Sequence, residues 1–307
     1  MNPILNPVHW YHRRRRILPR LGEETARVMG ACHLPITSSD RRLWNWRGKH
    51  RGQRAFIIGN GPSLSPADLD RLKNEVTFAS NKIFLAFRET DWRPTYYSVS
   101  DVLVAENNGQ TIDRLQLTKV FGSSVRPVLQ RHGSNRRAGA RTDCDRPITW
   151  LRELPTRRPR FSTNCAAGVH GGFSVVYHQL QLAFHLGIRE VYLLGMDFSF
   201  SIPTARAGQS VHGAVLESTG ERNHFHPEYR QPGERWTMPR LDRQYEAFTR
   251  AKQAFLAAGG EIVNVSRETK LDVFPRADFG HVLRPPCPAT FPPAGKRATP
   301  PVQGRAA

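Results

Sequence analysis

The chain has 307 residues and a formal net charge of +19, long enough to bury a sizeable core as one large α/β domain or two small ones. It contains no run of about 18 apolar residues, which excludes a spanning helix, and its arginine-rich start lacks the apolar stretch of a signal peptide; a cytoplasmic protein is expected. Cys32, Cys144, Cys165 and Cys287 stand far apart, with no CxxC pair and no Cys/His cluster at zinc spacing, so free thiols are expected.

In chain order, residues 1–53 read as a basic extension: residues 1–54 hold 12 Lys/Arg against 3 Asp/Glu. The run Arg13 to Arg16, beside Trp10, Tyr11, Ile17 and Leu18, suits peripheral contact with anionic lipid at about 1 kcal/mol per basic residue. Trp44 and Trp46 are expected to cap the core. Ala55 to Ile58 reads as a buried strand, Pro66 to Leu72 as a short helix opened by Ser65, and Val76 to Ala79 as a second strand. Asn81 to Phe87 reads as a turn and short helix, and Tyr96 to Ser100 as a third strand ending at Asp101.

Residues 126–160 read as proline-directed loops without periodicity, within a basic insert (124–160) of 10 Lys/Arg against 3 Asp/Glu. A helical repeat over Phe173 to Leu186 places Val176, Leu180, Ala183 and Phe184 together and stops at Gly187. Val191 to Leu194 is the strand that follows, ending in Gly195-Met196-Asp197. A second amphipathic helix spans about Pro239 to Ala258, with Leu241, Tyr245, Phe248 and Phe255 on one face and Gly259-Gly260 closing it. Glu261 to Val265 is the last strand. Residues 284–307, with seven prolines and no acidic residue, read as a disordered tail.

Strand and helix thus alternate through residues 54–283, which predicts one α/β domain with a mostly parallel sheet covered by helices on both faces. Outside the three basic segments the chain holds 19 basic and 20 acidic residues. The excess charge sits in appendages and an insert, which argues against a nucleic-acid groove built into the fold.

In open α/β sheets, ligands bind outside the carboxyl ends of the strands. The stretch AFIIGNGPSL (55–64) ends the first strand there. Gly59 and Gly61 would let the backbone approach a phosphate or ribose, and Asn60 and Ser63 could donate side-chain hydrogen bonds. A tight strand-to-helix turn also needs glycine on steric grounds alone. The loop is not GxGxxG with an acid about 20 residues on, and it lacks the Gly-Lys-Ser/Thr of a P-loop.

Other candidates lie at later strand ends. In Asn223-His-Phe-His, His224 and His226 would share a face of extended chain, and either could accept the proton of an acceptor hydroxyl. Asp197 could bind Mg²⁺ on a diphosphate, orient a substrate hydroxyl, or cap the turn after Gly195. Asp101 ends a strand in the same way, and Arg230 and Arg235 suit a forked clasp on phosphate or carboxylate.

The blocks FIIGNGPSL (56–64), ASNKIF (79–84), YYSVSD (96–101), REVYLLGMDFSF (189–200), NHFHPEYRQPGERW (223–236) and KLDVFPRADF (270–279) resemble the 6-hydroxymethylpterin diphosphokinase MptE-like family. The resemblance covers most of residues 54–280 and implies a single Rossmann-like nucleotide-binding catalytic domain. Archaeal members of that family transfer diphosphate from ATP to 6-hydroxymethyl-7,8-dihydropterin, and relatives are motility accessory factors that glycosylate flagellin. The GNGPSL loop, the Asn after the second strand, the small-residue helix start and the YLLGMDF block are also similar to bacterial sialyltransferases of the single Rossmann-like domain type, which use CMP-sialic acid.

The resemblance implies that Gly59, Asn60, Gly61 and Ser63 hold the donor's phosphates and ribose and that Asn81 contacts the nucleotide. It places Gly171, Gly172 and Ser174 at a helix start facing the donor. Tyr192 matches a substrate-site tyrosine, whereas the second such tyrosine is Phe198 here.

Three functions are therefore expected to compete. The first is glycosyl transfer from a nucleotide-sugar cosubstrate, such as a CMP-sugar, to a surface polysaccharide or lipid-linked glycan, which the basic tails favour. The second is diphosphoryl transfer from ATP to a small pterin, with Mg²⁺ required. The third is non-enzymatic binding of nucleotide or nucleic acid.

Overall fold

The computed structural model describes residues 36–134, 147–155, 158–203, 206–210 and 213–283, together with 28, 29 and 32. The Arg13–Arg16 run, Cys144, Cys287 and the 284–307 tail lie outside the described residues. Of the other two cysteines, both free, Cys32 is exposed and Cys165 buried.

Five parallel strands form the central sheet, the first three in the chain being β1 (Arg54–Ile58), β2 (Val76–Ser80) and β3 (Tyr96–Ser98). A helix, α1 (Ser38–Trp46), precedes β1, and α2 (Pro66–Asp70) links β1 to β2. A 3₁₀ segment, Asn81–Arg88, follows β2, and α3 (Val102–Arg114) follows β3. Then come β4 (Val120–Gly122), α4 (Arg126–Ser134), β5 (Thr149–Leu151), β6 (Glu153–Leu154), β7 (Val169–His170) and α5 (Val175–His185). The remaining elements are β8 (Glu190–Leu194), β9 (Arg206–Ser210), β10 (Gly213–Glu217), β11 (Arg235–Thr237), α6 (Leu241–Ala257), β12 (Glu261–Asn264) and α7 (Phe279–Val282).

The sheet order is β12-β8-β1-β2-β3, all parallel. The chain runs outward from β1 to β3 and returns to β1's other side for β8 and β12. The strand order therefore switches between β1 and β8, where doubly wound sheets open a crevice at their carboxyl ends. The GNGPS loop after β1 and the Gly195-Met196-Asp197 turn after β8 meet at this point.

Period-two alternation builds the two core layers. Ala55, Ile57, Val191 and Leu193 pack with α5 and α6 on one face, while Phe56, Ile58, Ala79 and Leu194 pack with α2, α3 and α7 on the other. Parallel strands buried on both faces read as continuous apolar runs, which made them visible in sequence.

Two segments differ from the sequence reading. Residues 38–46, counted with the basic extension, form a helix with a full Thr37/Asp40 capping box and bury Leu43 in the core. Trp46 packs on that core edge-on to Tyr96. Part of the stretch read as proline-directed loops forms α4, β5 and β6; β5 pairs in parallel with β4, and Arg42 of α1 holds it by donating to the Ile148 carbonyl at 2.7 Å.

The helix expected to be amphipathic, α5, is instead buried from Val176 through His185. Several of its polar residues are hydrogen-bonded inside the protein, although neither ring nitrogen of His178 has a hydrogen-bond partner. Gln181, for example, donates to the carbonyls of His170 (2.9 Å) and Tyr177 (3.0 Å) and accepts from the amides of Ser162 (3.0 Å) and His170 (2.9 Å).

Candidate functional site at the strand switch point

The glycines of GNGPS have a task other than admitting a ligand. A Cβ on Gly59 would lie 2.2 Å from the Gly195 carbonyl oxygen, and one on Gly61 would lie 2.6 Å from the Asp197 carboxyl. The loop is pressed against the turn after β8. Its amides are used there as well: Gly59 donates to Leu194 O (2.7 Å), Gly61 to Gly195 O (2.9 Å), and Leu64 to Gly61 O (3.1 Å). Ser63 donates its amide to Asp197 Oδ2 at 2.7 Å and its hydroxyl to Asp197 Oδ1. Gly59, Gly61 and Ser63 thus clamp the loop to the turn after β8.

Asp197 is the other half of that clamp. Burial raises its pKa, against the lowering effect of the two Ser63 bonds. Both of its oxygens are engaged, so capping the loop is its role in this structure. Asp197→Ala is expected to cost about 2–3 kcal/mol, read as a lower urea midpoint; an unchanged midpoint would show that the clamp carries no stability.

The loop's remaining side chain faces the other way. Asn60 Nδ2 donates to Ser80 O at the end of β2 (3.3 Å), and the Asn60 carbonyl accepts from Phe225 N (3.0 Å). This second bond ties the histidine loop to the switch point. Asn81 begins the 3₁₀ segment in the left-handed region, at φ +53°, as do Phe173 (+57°) just before α5 and Phe198 (+54°) after β8. Left-handed backbone is costly for residues with a Cβ and concentrates at functional sites. All three lie at the carboxyl edge, because α5 leads directly into β8 and so starts at that edge.

Four buried oxygens at this edge have no protein hydrogen-bond partner: Asn60 Oδ1, Ser80 Oγ, Asn81 Oδ1 and Gln179 Oε1. Asn60 and Gln179 turn their amide nitrogens to backbone carbonyls, Gln179 donating to Ala79 O at 2.9 Å. Carbonyls only accept, so these contacts fix both amides with the oxygen on the unpartnered side. The three amide oxygens therefore lack donors, and the Ser80 hydroxyl lacks a partner of either kind.

The two histidines separate. His226 caps the 3₁₀ turn Pro227–Tyr229 by accepting Glu228 N at Nδ1 (3.1 Å), with Nε2 4.0 Å from Glu89. A ring accepting at Nδ1 carries its proton at Nε2 when neutral, leaving no free basic nitrogen. His224 instead stacks on Tyr229, with centroids 3.7 Å apart and an interplanar angle of 6°. Burial, reinforced by the charges of Arg230 and Lys82, pushes its pKa well below the usual histidine value. His224 is unprotonated at neutral pH.

Arg230 stacks on Trp236 at 3.8 Å and lies 3.7 Å from Glu221, whereas Arg235 is exposed on β11. The two do not form one clasp. Asp101 is the N-cap of α3, accepting Leu103 N at 2.9 Å. Tyr192 stacks on Phe56 within the sheet face and donates to Glu190, back toward the amino end of β8, at 2.5 Å. It is not part of the carboxyl-edge cluster. Gly172 is packed against Tyr177, while Gly171 has open space beside it, and Ser174 caps α5 by accepting Val176 N at 3.3 Å.

Sequence reasoning missed Lys82, Gln179, Tyr229 and Glu234. The buried Lys82 ammonium donates to Tyr229 O (2.7 Å) and Glu234 Oε1 (2.6 Å). A lysine and a glutamine between apolar neighbours in predicted helices were the available signals. Their partners lie 147 and 100 residues away, out of reach of local pattern.

Fold and site together define a Rossmann-like α/β domain with its polar cluster at the topological switch point. The family model for 6-hydroxymethylpterin diphosphokinase MptE-like proteins matches residues 39–203, more than half of the chain, and the chain belongs to that family. Among solved structures, the chain is similar to the MAf glycosyltransferase from Magnetospirillum magneticum AMB-1, at 12% identity and a TM-score of 0.39. The similarity covers 79% of this chain and 38% of that one, so this chain spans well under half of that protein's length. No curated protein matches. No described helix is long and apolar enough to cross a membrane.

Proposed function

We propose that the protein is a nucleotide-dependent glycosyltransferase that moves a sugar from a nucleotide-sugar donor to a polysaccharide or lipid-linked glycan at the cytoplasmic face of the membrane. The observation that carries the nucleotide reading is the set of four unpartnered oxygens at the switch point. Ribose hydroxyls and an exocyclic base amine are the donors such a set takes. The donor's phosphates are assigned to the start of α5, where the helix dipole favours negative charge and Gly171 leaves room.

The reaction follows from His224. An acceptor hydroxyl gives its proton to the neutral imidazole as its oxygen bonds to the anomeric carbon. The bond from that carbon to the nucleotide phosphate breaks, and the phosphate leaves with the electron pair. Tyr229, stacked on the ring, fixes the imidazole plane. His224→Phe keeps the stack and removes the base, and is expected to lower turnover about 10²–10⁴-fold with nucleotide affinity retained. Undiminished turnover would exclude His224.

The family description favours a second reading, diphosphoryl transfer from ATP to a hydroxymethylpterin, with Mg²⁺ supplying charge neutralisation. Purified protein given a panel of nucleotide sugars releases CMP, UDP or GDP under the first reading. AMP release from ATP only in the presence of hydroxymethyldihydropterin replaces it with the second.

A further inference from the structure

A cleft of about 580 Å³ opens on the far side of the GNGPS loop, lined by Arg71, Arg267, Arg276, Val265, Asp278 and Phe279 among others. Arg267 ties it to the loop, donating from Nη1 to the Ser63 carbonyl at 3.0 Å.

The three guanidinium groups are held in different ways. Arg267 is bidentate on Asp68, at 2.5 and 2.7 Å, and its charge is matched. Arg276 donates from Nη2 to the carbonyls of Ser266 and Arg267, both at 2.9 Å, which orients the fork without neutralising it. Arg71, exposed at the end of α2, stands over the Phe279 ring at 4.9 Å. Among the described residues neither Arg71 nor Arg276 is in an ion pair. Asp278, the acid in the lining, accepts His281 N at 2.7 Å. It offsets one charge and leaves the cleft cationic.

We propose that this cleft binds a phosphate-bearing ligand through the forked donors of Arg71 and Arg276. A planar guanidinium matches two phosphate oxygens at once, and Arg276 is already oriented for it. Phe279 and Val265 offer an apolar wall to whatever the phosphate carries. The site is separate from the unpartnered oxygens at the switch point and does not depend on the function proposed for them. The ligand is a phosphoester, either soluble or the head group of a lipid.

The full chain is titrated with inorganic pyrophosphate by calorimetry, and separately mixed with phosphatidic acid or phosphatidylcholine vesicles in a flotation assay. Arg71→Ala touches only Phe279, and Arg276→Gln keeps a donor for the two carbonyls, so both variants should fold. Each is expected to weaken binding about tenfold or more, while Arg250→Ala, which removes an exposed arginine of α6 outside the cleft, leaves it unchanged. Loss in the pyrophosphate arm assigns a soluble phosphoester. Loss of phosphatidic acid retention in both arginine variants, with phosphatidylcholine inert, assigns a lipid head group. Wild-type binding by both variants in both arms, or no binding by the parent in either, overturns the proposal.

Discussion

A Gly59→Ala protein is expected to fail to reach a stable native state, whereas Gly171→Ala is expected to unfold at the same urea concentration as the parent. The added methyl at 59 would meet the Gly195 carbonyl oxygen at 2.2 Å, its carbon at 2.8 Å and Met196 Sδ at 2.8 Å. That carbonyl cannot swing away, because it accepts the Gly61 amide at 2.9 Å and Gly195 is itself left-handed, at φ +70°. Overpacking costs about 1–3 kcal/mol when side chains can yield, and more when the obstacle is backbone. Against a total stability of about 5–15 kcal/mol, that loss at the centre of the sheet removes much of the margin. Beside Gly171 nothing lies within 4 Å. Equal urea midpoints for the two variants would refute the close-packed clamp.

The second large effect is a loss of stability on mild acidification. Burial lowers the pKa values of His178, His185 and His224. In the unfolded chain each takes up a proton as pH falls below about 6.5, while in the folded chain each stays neutral to lower pH. Stability is therefore unaffected above that value and falls as pH drops from it toward the folded values, by up to about 1.4 kcal/mol per pH unit for each group. Asp197 acts in the opposite sense, since its raised pKa favours the folded state as pH falls through that value.

His185 is the member to test, because both ring nitrogens are committed. Nε2 donates to the Leu43 carbonyl at 2.7 Å, and Nδ1 accepts the Cys165 amide at 3.3 Å, holding α1 on the core. Protonation would turn that acceptor into a donor. His185→Gln retains a donor and an acceptor without titrating, and should flatten the fall in urea midpoint between about pH 6.5 and 5 by roughly a third. A slope identical to the parent's would remove His185 from the account.

The parallel strands were legible because each is a short apolar run buried on both faces, and the site's location followed from where those runs stop. β5 and α4 were hidden by composition, because arginines are dense in that segment, and the three-residue strands β4 and β5 show little alternation. The Thr37/Asp40 capping box was legible in principle, but averaging charge over residues 1–54 obscured it. Within the site, sequence identified Asn60, Asn81 and the two histidines, and put His226 first as the expected base, whereas the structure makes that residue a cap. The proline after His226 was the signal that marks it as a cap, since proline favours the first position of a helical turn. The clamp between Ser63 and Asp197 joins residues 134 apart in the chain, and nothing local to either announces the other.

The small antiparallel sheet β9-β10-β11 carries a consequence for how this protein can be altered. It lies beyond the family-matched residues 39–203, between β8 and α6, and His224, Tyr229 and Arg230 sit in its long β10–β11 connection. It meets the switch-point region through Phe225 N to Asn60 O, Lys82 to Tyr229 O and Glu234, and Asn107 to Glu234, among other contacts. The parallel sheet is a chassis that keeps its geometry through its own clamp, and the meander is a detachable tool head. Exchanging residues 206–237 as a unit, with the Asn60 and Lys82 contacts kept, would replace His224, Tyr229 and Arg230 together while the switch-point oxygens stay in place.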